Sequence, residues 1–124
     1  MKYLDKLTCM QNYFIDTPIY KIWISVIDIL TPKSAYIISE FNYQFKNIVC
    51  CRECLVIAYI KKNITLELVY AHEYRNFSCR LIDIETNLAK AWRNSPPAMK
   101  KNLETLSELE IEIDKWLSFL KTEL

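Results

Sequence analysis

The chain has 124 residues, is 52% hydrophobic and 25% charged, and carries a formal net charge of +1. That length suits one domain, or one domain with an extension, and so apolar a composition argues for a packed core rather than disorder. Glycine is absent and histidine occurs once, as His72; this excludes glycine-rich phosphate loops, the dinucleotide fingerprint and most histidine-based catalysis or metal ligation.

Residues 1–16 are mixed and aromatic, with no clear period. Thr17-Pro18 is a helix start, a hydroxyl cap followed by proline in the first turn, where its missing N–H costs nothing. Ile19, Trp23, Val26 and Leu30 then follow at spacings that place them on one helical face. Thr31-Pro32 repeats the signal, ending one helix and opening a second whose stripe is Ile38, Phe41, Phe45 and Val49. Residues 1–50 therefore read as a helical N-terminal extension.

Residues 50–82 admit two readings. Cys54–Ile60 and Ile64–Tyr70 are rich in β-branched and aromatic residues, the second run alternates, and Lys61-Lys62-Asn63 is placed to turn a hairpin. Ile57, Ile60, Ile64 and Leu68 also fall on one helical stripe. The lack of glycine weakens the two-residue turn that a hairpin favours. Helix and hairpin both stay open at this point.

From Asp83 the pattern is helical. Ile84, Leu88 and Trp92 lie four apart, with Asp83 and Glu85 in the first turn and Lys90 and Arg93 in the last, as the helix dipole prefers. Ser95-Pro96-Pro97 stops that helix and caps another. Its stripe is Met99, Leu103, Leu106, Ile113, Trp116 and Leu120, with Glu104, Glu108 and Glu112 opposite. Residues 52–102 hold nine basic against five acidic side chains, whereas residues 103–124 hold two against six. A mildly basic middle thus precedes an acidic end.

Cys51-Arg52-Glu53-Cys54 has metal-ligand spacing, and His72 and Cys79 would complete four ligands. The apolar flanks and the lack of a turn-forming glycine favour free thiols over zinc, so no cofactor is expected. No serine or cysteine stands convincingly with His72 as a nucleophile and base, so no enzymatic activity is expected either. The longest apolar runs, Ile22 to Ile27 and Leu55 to Ile60, fall far short of the roughly 18 residues of a spanning helix. The first residues lead into no signal core, so neither membrane insertion nor secretion is expected.

The segment Asp83-Ile84-Glu85-Thr86-Asn87-Leu88-Ala89-Lys90-Ala91-Trp92-Arg93-Asn94-Ser95-Pro96-Pro97, followed by Lys100-Lys101, Leu103 and Leu106-Ser107, resembles the second and third helices of a high-mobility-group (HMG) box of the fungal mating-type kind. Leu55–Lys62 resembles its first helix. The resemblance implies a mainly α fold, a three-helix box over residues 51–124 behind the two-helix extension; the alternative is an α+β fold with a small antiparallel sheet in 54–82. It implies a nuclear regulator that binds double-stranded DNA in the minor groove and bends it. Ile57 would be the wedge between base pairs, and Lys61, Lys62, Lys90, Arg93, Lys100 and Lys101 would face phosphates. Tyr59, Leu88, Trp92 and Leu103 would form the core. The competing expectation is a small helical interaction protein without nucleic-acid affinity, cytoplasmic rather than nuclear, that holds a protein partner through the acidic, leucine-striped last helix or a patch around Trp23.

Overall fold

The computed structural model describes residues 18–50 and 54–124. Helix α1 (Pro18–Phe41) leads into a meander of strands β1 (Gln44–Cys50), β2 (Cys54–Lys61), β3 (Ile64–Ala71), β4 (Asn76–Asp83) and the short β5 (Leu88–Ala89), and helix α2 (Leu106–Glu123) follows. All neighbouring strands pair antiparallel, in the order β1-β2-β3-β4-β5. The fold is α+β. The mainly α, three-helix box is overturned, and with it the HMG-type frame.

Period-2 alternation decides the middle of the chain. Leu55, Ile57 and Tyr59 on β2, Leu66, Leu68 and Tyr70 on β3, and Phe77 and Cys79 on β4 all point to one side, where they are buried. The register aligns Ile48, Ile57, Leu68 and Cys79 in one column across four strands. Each such column buries β-branched and aromatic surface that a lone helix would leave half wet. The apparent helical stripe Ile57-Ile60-Ile64-Leu68 is broken up by this geometry: Ile57 and Leu68 face the core, whereas Ile60 belongs to the opposite face.

Glycine-free turns are made by other residues. The β2–β3 turn places Lys62 at φ 53°, the β3–β4 turn places Arg75 at φ 47°, and Asn42, Asn87 and Asn102 take φ near 60° at other reversals. Asparagine tolerates the left-handed region best after glycine; lysine and arginine occupy it at a cost of about 1–2 kcal/mol each. The hairpin therefore forms despite the missing glycine, because a full eight-residue register behind Lys62 outweighs one strained residue.

Two expected helices are replaced by other structure. Residues 84–93 hold only a single turn: the Asn87 amide bonds to the Asp83 carbonyl at 2.7 Å, and the Asp83 carboxylate accepts from the Glu85 amide. Left-handed Asn87 then returns the chain to β5. Local side-chain bonds to the backbone satisfy this turn and end it. The stripe over Phe45 and Val49 is strand β1 rather than helix, with a bulge between Phe45 and Asn47. The domain boundary expected near residue 50 thus falls at the β1–β2 connection, inside one sheet.

Helix α1 starts at Pro18, where the sequence places a start, but it runs through Pro32 instead of breaking there. Around that proline, the Thr31 and Ser34 hydroxyls donate to the Ile27 and Leu30 carbonyls, each at 2.7 Å. Helix α2 begins late, at Leu106, capped by Thr105, whose hydroxyl accepts from the Glu108 amide. Val26, Ile27, Leu30 and Ile37 of α1 and Leu109, Ile113, Leu117 and Leu120 of α2 close over the same side of the sheet. Lys33 joins the helices by ion pairs to Asp114 at 2.7 Å and Glu110 at 3.2 Å. The Tyr36 hydroxyl donates to the Leu117 carbonyl at 2.8 Å.

Candidate functional site

The helices cover one face of the sheet, and alternation assigns a second set of residues to the other. Val56, Ala58 and Ile60 of β2, Thr65, Glu67 and Val69 of β3, and Ser78, Arg80 and Ile82 of β4 lie on that second face. Val49 continues it on β1, 48% exposed. Among the described residues no helix or strand lies over it. Val56, Val69, Ile60 and Ile82 are half-buried, and Ala58 and Thr65 between them are buried. At the middle of the face the Arg80 guanidinium and the Glu67 carboxylate, paired in register across β3 and β4, form an ion pair. The face is rich in β-branched side chains, and its central charges, Glu67 and Arg80, cancel.

A second feature lies at the end of the sheet near the β3–β4 turn. A cavity of about 390 Å³ opens there, bordered by Val26, Tyr70, His72, Arg75, Leu103 and Leu109 among the described residues. Burial pushes the Tyr70 phenol up from its usual value, with Arg75 pulling it partly back. Several of the polar groups around it already hold the fold together. The Arg75 amide bonds to the His72 carbonyl, the Arg75 carbonyl accepts from the Leu103 amide, and Thr105 caps α2.

The residues expected to touch DNA do not form one surface. Ile57 has 0% exposure and packs in the core of the sheet, so it cannot serve as a wedge. Lys61 and Lys62 sit at the β2–β3 turn, with Lys90 toward the same end through its amide bond to the Leu81 carbonyl. Lys100 and Lys101 lie toward the opposite end, where the Lys101 ammonium stands 5.3 Å from the Tyr74 ring centroid. Arg93, though exposed, is engaged at the end of α2, donating to the Thr122 and Glu123 carbonyls.

Of the four expected core residues, Tyr59 and Leu103 are buried. Trp92 is half-buried against Trp116 and Phe119, its ring centroid 5.1 Å from that of Phe119. Leu88 is instead 67% exposed, because it belongs to the short edge strand and not to a helix.

The zinc set does not converge. Cys51 lies outside the described residues. Cys54 pairs with Ala71 on the uncovered face, whereas Cys79 is buried on the helix side opposite Leu68. Burial raises the Cys79 thiol well above its usual value, as for a small hydrophobe. No group of three or more metal-ligating side chains gathers among the described residues, and no helix there is long and apolar enough to cross a membrane.

The expected partner surface on the last helix is also redirected. Ile113, Trp116 and Leu120 of its stripe are spent in the core while Leu106 is exposed, and two of its carboxylates, Glu110 and Asp114, hold Lys33. Glu112, expected on the solvent side, is buried and pairs with Lys115. The Trp23 side chain lies outside the described residues.

Sequence reasoning missed the uncovered face because it sought one apolar stripe per element. The signal was present in Cys54–Ile60, which is apolar at nearly every position rather than at alternate ones. Such runs belong to strands whose two faces are both covered. No protein-family model, no curated protein and no solved structure matches this chain.

Proposed function

We propose that this chain is a non-enzymatic interaction protein whose contact surface is the helix-free face of its sheet. One observation carries the reading. Strand β2 is apolar on both sides, yet helices cover only the side bearing Leu55, Ile57 and Tyr59. Val56, Ile60, Val69 and Ile82 make an apolar field around the Glu67–Arg80 ion pair and the small side chains Ala58, Thr65 and Ser78, with Gln44 and Asn47 at its β1 edge. A wet face would alternate to polar residues, as antiparallel sheets with one solvated side do; contiguous apolar surface of this kind marks a contact site. A face built from several strands side by side suits another sheet or an extended apolar surface better than a small solute.

Site-specific photo-crosslinking tests this. A benzoylphenylalanine side chain is placed at Val69, on the field, or at Ser118, exposed on α2, and each protein is irradiated in extracts of the cells that make it. A discrete adduct from position 69 that is absent from position 118 is the expected result. Equal labelling from both positions, or none from 69, overturns the reading.

A further inference from the structure

We propose that the occupant of this face is the same face of a second copy of the chain, forming a two-fold sandwich centred on Glu67 and Arg80; the proposal rests on the reading that this face is a contact surface. Three features of the face bear on it.

The first is shape. Two sheets of β-branched side chains pack face to face about 10 Å apart, with their strand directions within about 30°. The columns Val49-Val56-Val69-Ser78 and Ile60-Thr65-Ile82 are built mostly of short β-branched side chains, the kind such packing uses.

The second is charge. The central column carries one cation and one anion on neighbouring strands, in the same register. A two-fold axis running along the strands between β3 and β4, midway between the sheets, sets the Arg80 of each copy over the Glu67 of the other. The two intrachain pairs then become a ring of four alternating charges. No foreign partner of opposite net charge is called for, because the face is already complementary to itself.

The third is area. Four strands spaced about 4.8 Å apart, each contributing about six residues at 3.3 Å, give a face of about 400 Å² per copy, and about 800 Å² for the pair. That lies below the roughly 1,200 Å² of a standard interface. It specifies a reversible, concentration-dependent dimer rather than an obligate one, consistent with a monomer that already has its own helix-covered core.

Sedimentation across protein concentrations tests the pairing, because the charges can be exchanged between copies. Glu67→Arg gives a face with two cations, and Arg80→Glu a face with two anions. The wild-type mass is expected to rise from 14.8 kDa toward twice that value between about 10 µM and 1 mM, the range of a weak interface. Each variant alone is expected to associate at least about tenfold more weakly, through like-charge repulsion. An equimolar mixture of the two is expected to recover association, since cationic and anionic faces then meet. Thermal melts of both variants establish that they remain folded, and Val69→Lys provides a further disruption away from the ion pair.

A wild-type mass fixed at the monomer up to 1 mM, variants that associate as the wild type does, or a mixture that stays monomeric each overturn the proposal. The crosslink at Val69 separates this failure from that of the broader reading. An adduct of about 30 kDa identified as two copies supports the proposal. An adduct to a different protein with a monomeric wild type removes the second copy but keeps the face as a contact surface; no position-69 adduct, in extract or with the purified protein at up to about 1 mM, removes both.

Discussion

Ile57→Ala measures how deeply the residue once expected to wedge DNA is built into the sheet. Ile57 is fully enclosed between Ile48 and Leu68. The substitution removes three buried carbons, at about 0.8 kcal/mol each. Incomplete collapse around the void adds about 1–2 kcal/mol at roughly 24 cal/mol per Å³ of residual cavity. The expected loss is therefore about 3–4 kcal/mol, a large part of the stability of a domain this size. Val69→Ala, one residue along on β3 but on the uncovered face, removes two carbons that are only half-buried, and about 1 kcal/mol or less is expected. Urea unfolding followed by the fluorescence of Trp92 and Trp116, which pack together with ring centroids 6.2 Å apart, reads both changes at constant slope. A loss below about 1 kcal/mol for Ile57→Ala, the value of an exposed side chain, or a greater loss for Val69→Ala, refutes the assignment of the two faces.

Other perturbations test the turns, the helix and the closure of the fold. Lys62→Gly relieves a left-handed lysine and is expected to stabilise by about 0.5–1 kcal/mol in the same urea assay, after allowing for the extra chain entropy of glycine. Pro32→Ala restores an N–H in the interior of α1 and is expected to raise stability by about 1–3 kcal/mol; a loss would mean that the proline shapes the helix to its sheet.

Glu123 accepts from the main-chain and side-chain nitrogens of Asn94, and these bonds hold its carboxyl below the usual 4.5. Its contribution is present above the unfolded value and lost as pH falls through the lower folded one. Melting temperatures of Glu123→Gln and wild type are therefore expected to converge as pH drops below about 4. Burial pushes the Tyr36 phenol up to about 12, so its neutral form stabilises the fold below pH 10, and that contribution fades as pH rises through 12. Phenolate absorbance is expected to show a late-titrating fraction, to which the buried Tyr43 and Tyr70 phenols also contribute, that Tyr36→Phe reduces by one tyrosine.

Much of the local structure could be read from neighbouring residues. The amphipathic stripe of α2 follows from a 3.6-residue period, although its cap is Thr105 and not the Ser95-Pro96-Pro97 segment. The alternation in Ile64–Tyr70 already contained strand β3 and its inward side. The errors have local causes as well. At Asp83–Trp92 a four-residue spacing of apolar side chains imitated a helix, but Asp83, Thr86 and Asn87 bond to their own backbone and close a single turn. At Lys62 the absence of glycine was given more weight than the strain of one left-handed lysine warrants against a complete strand register.

The candidate site was less legible, because a sheet face is a property of several strands at once. Val56, Val69 and Ile82 are far apart in the chain and become neighbours only through pairing across β2, β3 and β4. Glu67 and Arg80 likewise look like two ordinary charges until register sets them side by side.

Composition and periodicity alone determined that the chain carries enough apolar surface for a core, that glycine-dependent phosphate chemistry is absent, and that its last stretch is an amphipathic helix. Whether residues 54–82 were helix or sheet, and which side of each strand met the helices, was decided only in three dimensions. The physical reason is that a strand satisfies its backbone hydrogen bonds through partners distant in sequence, so short-range pattern leaves open the pairing on which burial, strain and exposed surface all depend.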